Sequence, residues 1–132
     1  MTGAALKKTL EGARILIVED EMMAASMLEL VLGEWGCIVV GPVPSVETGI
    51  AMIERGPIDA AILDVNLGGE PVFPVADKLA TKRVPFIFVT GYGVPGVDKE
   101  KYPGVPIIQK PYDENVLIRI IASQLIERQV RP

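Results

Sequence analysis

Histidine is absent from this chain of 132 residues, and that absence excludes more than any other count. Without an imidazole there is no Ser-His-Asp or Cys-His nucleophilic site and no histidine-ligated metal, and any phosphohistidine the protein meets belongs to a partner. Cysteine is scarce as well. Cys37 stands alone, so no internal disulfide forms, and one thiol opening an apolar strand fits an inert residue in a reducing compartment, with the cytoplasm as the expected location. No stretch approaches the roughly 18 consecutive apolar residues of a membrane-spanning helix, so no membrane association is expected. Clustered positive charge is also missing: the 13 Lys and Arg are scattered among 17 Asp and Glu, for a net charge of -4. Phosphate backbones are held by clustered cations, so no nucleic-acid partner is expected. Residues 1–12 have no continuous apolar core of the secretion-signal kind and read as a flexible lead-in.

What the chain does contain is a set of apolar strands that stop at polar residues. Ala60-Ala61-Ile62-Leu63 runs into Asp64, and the Gly68-Gly69 turn follows. Such a continuous apolar run reads as a buried parallel strand delivering one carboxylate to the edge of a sheet. Ile15 to Val18 stops at Glu19-Asp20, Phe86 to Val89 stops at Thr90, and Val105 to Ile108 leads to Lys110-Pro111. Cys37 to Val40 supplies one more strand, closed by Gly41-Pro42.

Helical patterns separate these strands. Over Glu21 to Trp35 the spacing of Ala24, Met27, Leu28, Val31 and Trp35 predicts one buried stripe, Ser45 caps a helix to about Arg55, and Pro71 to Lys82 places Val75, Leu79 and Phe73 inward with Pro74 in the first turn. Between Thr90 and Val105 the Gly and Pro content leaves at most a short helix over Val97 to Tyr102. Asp113 caps a last helix from Glu114 to about Arg128. Strands alternating with helices imply a doubly wound α/β fold with helices on both faces of a parallel sheet, since parallel neighbours need right-handed crossovers. Ligands of such folds bind outside the carboxyl ends of the strands, where all the polar ends lie.

If Glu19, Asp20 and Asp64 converge, two carboxylates about 4 Å apart at an effective dielectric near 20 repel by roughly 4 kcal/mol, and the cluster calls for a cation. Mg²⁺ suits it, as a hard ion held by one or two carboxylates together with a phosphate. Asp64 is then placed to accept a phosphoryl group, with Thr90, Lys110 and backbone amides following Asp64 as donors to its oxygens.

The acidic pair after the first strand, Asp64 ending the third, Thr90 ending the fourth and Lys110-Pro111 after the fifth resemble the receiver domain of two-component response regulators, over about residues 13–129. Phe88-Val89-Thr90-Gly91-Tyr92 is similar to the motif of a subgroup, often single-domain, with Gly-Tyr after the threonine. The resemblance implies a flavodoxin-like sheet of order 2-1-3-4-5 and a stand-alone phosphoacceptor rather than an enzyme. It implies Asp64 as phosphoacceptor, with Glu19, Asp20, Asp64 and the Asn66 backbone carbonyl around Mg²⁺. Thr90 and Lys110 would contact the phosphoryl group, the Lys110-Pro111 bond would be cis, and the Asn66 side chain would stand near the attacking water. The implied partner is a histidine kinase or histidine phosphotransfer protein.

The chain also departs from the pattern. Ile107 stands where receivers carry a switching aromatic, which leaves Tyr92 as the substitute beside Thr90, and the fourth helix is expected to be short or disordered. Of Met22 and Met23 only one is expected to join the buried stripe, the other being a candidate contact for a phosphodonor. The last helix is apolar on more than one face, which offers a partner surface or a weak homodimer unless the lead-in covers it. Two alternatives stay open: a receiver-like binding module that is never phosphorylated, and a small Mg²⁺-dependent phosphohydrolase. For the second, Asn66 stands where the haloacid-dehalogenase type places its second aspartate.

Overall fold

Successive side chains of a strand point to opposite faces, so an apolar run buried on both sides needs a layer of helices above and below it. The computed structural model, which describes residues 1–91 and 96–130, satisfies that demand. Its strands and helices in chain order are α1 (Gly3–Leu10), β1 (Arg14–Val18), α2 (Met22–Glu34), β2 (Ile38–Val43), α3 (Val46–Arg55), β3 (Ala60–Asp64), β4 (Asn66–Leu67), β5 (Glu70–Pro71), α4 (Phe73–Thr81), β6 (Phe86–Thr90), β7 (Ile107–Gln109) and α5 (Glu114–Val130). The main sheet is parallel, in the order β2-β1-β3-β6-β7. This is the expected doubly wound arrangement. β4 and β5 form a small antiparallel hairpin of their own, with Asn66 opposite Pro71 and Leu67 opposite Glu70.

The alternation along each strand divides the core in two. Leu16 and Val18 of β1, Ala61 and Leu63 of β3, and Phe86 and Phe88 of β6 pack with Ile53 of α3 and with Val75, Ala76 and Leu79 of α4. Ile15 and Ile17, Ala60 and Ile62, and Ile87 and Val89 pack on the other face, against Leu28 and Leu32 of α2 and Leu117, Ile118, Ile121, Ala122 and Leu125 of α5. Ser45 caps α3 through a capping box with Thr48, and Asp113 accepts from the Asn115 N–H at the start of α5, both as expected. Pro74 sits in the first turn of α4.

Several expectations are corrected. Residues 1–12 are not a loose lead-in: Thr2 caps α1, and Leu6 and Leu10, one turn apart, are fully buried in the core shared with α5. This helix takes up part of the apolar breadth of α5, leaving Val116 and Ile126 exposed. In α2 the fully buried residues are Ala25, Leu28 and Leu32, with Val31 and Trp35 of the expected stripe half-buried against the same core, while Met22, Met23 and Met27 all face outward. The helix is apolar on nearly every side, so spacing alone did not fix its rotation. Among the described residues between Thr90 and Val105 there is no helix, only turns at 99–101 and 103–104, within the expected limit of at most a short one. Tyr92 lies outside the described residues. Cys37, just before β2, is buried, and burial pushes its thiol up to about 11, in keeping with an inert residue.

Candidate functional site: an acidic cluster bridged by a lysine

Four strands of the central sheet, β1, β3, β6 and β7, end at or just before polar residues on the same edge. β1 ends before Glu19 and Asp20, and β3 ends at Asp64, with Val18 beside Leu63 in the register. One carboxylate oxygen from each of Glu19, Asp20 and Asp64 lies within 4.8 Å of the others. Glu19 and Asp64 are buried, whereas Asp20 is exposed. Asp20 does not cap α2, whose N-cap is Glu21, so its carboxylate is not committed to that helix end. Three carboxylates are the hard oxygen donors that a divalent cation of the Mg²⁺ type prefers, and the cluster fits such an ion.

Lys110 holds this cluster together. Its Nζ donates to Glu19 Oε1 at 2.9 Å and to Asp64 Oδ2 at 3.0 Å, and it stands 3.9 Å from Glu21 Oε2. Its backbone N–H donates to the Thr90 carbonyl at 2.8 Å, which aligns the ends of β6 and β7, and the Lys110–Pro111 bond is cis. Glu21 is a neighbour of the lysine that sequence reasoning passed over, although it continues the Glu19-Asp20 run. Burial, followed by the hydrogen bond to Asp64, pushes the Glu19 carboxyl up to about 8 even against the pull of Lys110. Burial works against the charge on Lys110, but its hydrogen bonds to Glu19 and Asp64 outweigh this and raise its pKa.

Asp64 Oδ1 accepts the Asn66 backbone N–H at 3.1 Å, so an amide following the acid does reach its carboxylate. Asn66 Oδ1 accepts the Gly69 N–H at 2.7 Å and closes the β4–β5 turn. Gly68, with φ +61°, brings that turn up to Asp20, and a Cβ there would lie 3.3 Å from Asp20 Oδ2. Thr90 is half-buried at the end of β6, and Ile107 lies on the exposed edge strand. The aromatic that packs beneath this edge is Tyr102, which sequence reasoning left as a helix end. It stacks on Phe73 at 5.6 Å and meets Phe88 edge-on at 5.2 Å, and its hydroxyl donates to Asp77 Oδ1 at 2.7 Å.

With the acids, the lysine and the sheet order in place, residues 15–122 match the model of the response regulator receiver domain. The chain belongs to that family. Among solved structures the receiver is similar to SdrG from Sphingomonas melonis Fr1, with 39% identity, a TM-score of 0.76, and coverage of 96% of this chain and 99% of that one. A BeF3-activated conformation of SdrG is 41% identical, with a TM-score of 0.67 over 85% of this chain and 95% of that one. The receiver domain of the sensor histidine kinase PA1611 from Pseudomonas aeruginosa PAO1, solved with a magnesium ion in its active-site cleft, is 26% identical, with a TM-score of 0.73 over 86% of this chain and 98% of that one. The sensory transduction protein LytT of Bacillus anthracis is 24% identical over 119 residues, which are 88% of this chain and 48% of LytT. This receiver therefore spans about half the length of that relative. Among the described residues no helix is long and apolar enough to cross a membrane.

Proposed function

We propose that Asp64 accepts a phosphoryl group from a phosphohistidine of a histidine kinase or histidine phosphotransfer protein, and that another protein reads the resulting change. The observation that carries this reading is the Lys110 ammonium, held 3.0 Å from the buried Asp64 and 2.9 Å from the buried Glu19. A carboxylate oxygen of Asp64 forms the new bond to phosphorus as the bond from phosphorus to the donor imidazole breaks, and the released imidazole takes its proton from water. Glu19, Asp20, Asp64 and the Asn66 carbonyl are the proposed ligands of Mg²⁺, which when bound offsets charge on the phosphoryl oxygens. Lys110 donates to one of those oxygens, and the Thr90 hydroxyl to another. That SdrG has a BeF3-activated conformation, and that the PA1611 receiver holds magnesium, support the same chemistry in this chain.

A groove beside Lys110, lined by Glu21, Ala24, Met27, Pro111, Tyr112 and Glu114, is open to a donor, and the exposed Met22 and Met23 follow Glu21 in the chain. Adaptable methionines suit a surface that must accept a partner carrying the phosphohistidine. Thr90 and Tyr92 are the residues proposed to switch, and residues 96–102 are the described region proposed to respond.

Intact mass after incubation with Mg²⁺ and acetyl phosphate tests the reading. The expected result is a gain of one phosphoryl group that disappears in Asp64→Asn and on chelation. Wild-type chain that gains none overturns it and leaves a phosphate-independent binding module.

A further inference from the structure

The hairpin of β4 and β5 carries the Asn66 carbonyl, and its turn reaches Asp20, so its placement sets the geometry of the proposed cation site. Most of its polar contacts are local. The Asn66 N–H holds Asp64, Asn66 Oδ1 holds Gly69, and the Val72 N–H donates to the Val65 carbonyl at 3.0 Å. Buried Leu67 roots it in the core. Besides the Asn66 bond to Asp64 at the end of β3, one described hydrogen bond ties the hairpin to another element: Glu70 Oε1 accepts the Val46 N–H at 3.2 Å.

Val46 is the first residue of α3, where backbone N–H groups have no partner within the helix and attract a carboxylate. α3 is itself a fixed frame, closed by the Ser45–Thr48 capping box and packed on α4, where a Cβ on Gly49 would meet Val75 at 3.1 Å. The chain just before it, at the end of β2, holds the acidic pair: the Val43 carbonyl accepts the Glu19 N–H at 2.9 Å. Glu70 thus links the hairpin that follows Asp64 to the same frame that carries Glu19 and Asp20.

From this linkage we infer that Glu70 is a positioning residue for divalent-cation binding: through Val46 it holds the Asn66 carbonyl at a fixed distance from Glu19 and Asp20. The inference rests on the reading of these acids as the cation site. Outer partners that orient metal ligands commonly matter about 10-fold or more to affinity, and a tether one step further out is expected to contribute about 3- to 10-fold.

Mg²⁺ titration by calorimetry on the full chain, comparing wild type with Glu70→Ala and Glu70→Gln, tests it, with apo melting temperatures recorded alongside. Glu70→Ala is expected to weaken Mg²⁺ binding by about 3- to 10-fold, while Glu70→Gln, whose amide oxygen still accepts from Val46, stays within about 2-fold of wild type. Unchanged affinity in Glu70→Ala overturns the inference. So does an equal loss in both variants, since that assigns the effect to charge and not to the tether. Wild-type chain that binds no Mg²⁺ overturns the reading of the site and this inference with it.

Discussion

Glu19 sits where burial and a second carboxylate both oppose its charge, and only Lys110 favours it. Its carboxyl is pushed up to about 8 from an ordinary value of 4.5, so between those values the folded chain keeps a proton that the unfolded chain has released. Stability from this group is therefore fully present below about 4.5 and lost as pH rises through about 8. In chelator, thermal melts are expected to show the melting temperature falling across that window, other ionisations aside, and Glu19→Gln flattens this component. Mg²⁺ competes with the same proton, so its affinity, measured by titration at several pH values, is expected to rise as Glu19 ionises. Gly68 shows the same site from the side of sterics, since any side chain there combines a left-handed backbone with a Cβ 3.3 Å from Asp20.

At the scale of elements, α1 contributes more than its position at the edge of the family match suggests. The match begins at residue 15, yet Leu6 and Leu10 lie in the core with Leu28, Leu32 and Leu125. Lys7 also reaches the Glu34 carbonyl at 3.3 Å, and Arg119 of α5 donates to the Met1 carbonyl at 3.1 Å. Truncating a fully buried leucine typically costs about 2–5 kcal/mol. Leu10→Ala is expected to lower the melting temperature by roughly 10 °C, as followed by circular dichroism. An unchanged melting temperature would show that α1 is not part of the cooperative unit.

At the scale of the whole molecule, β6 connects the site to both cores. Ile87 and Val89 face α5, Phe86 and Phe88 face α4 and Tyr102, and Thr90 ends the strand at the acidic edge. A pull on Thr90 therefore reaches the turn around Tyr102 through Phe88, and reaches Lys110 through the hydrogen bond between β6 and β7. Amide exchange of residues 96–105 is expected to slow when Mg²⁺ and beryllofluoride are added, because the added anion fixes the end of β6. Equal exchange with and without the analogue would mean that the signal leaves by another face.

The sequence by itself determined the parallel sheet and the residues at its edge. Apolar runs ending at Glu19, Asp64 and Thr90 call for helices on both faces of the sheet, and the absence of histidine excludes a phosphohistidine on these 132 residues. The capping residues Ser45 and Asp113 were legible because their chemistry is local. Other features depended on contacts across the chain. α1 had its signals in Thr2, Leu6 and Leu10, but a helix of 8 residues is not stable alone, and only docking on α5 explains it. The rotation of α2 was decided by the facing core, since its sequence is apolar on almost all sides. Tyr102 gained its place from Phe73, Phe88 and Asp77, all more than a dozen residues away, and Glu70 from Val46. Pairings over such separations leave no periodic trace, because what fixes them is the closeness of two elements and not the order of residues within either one.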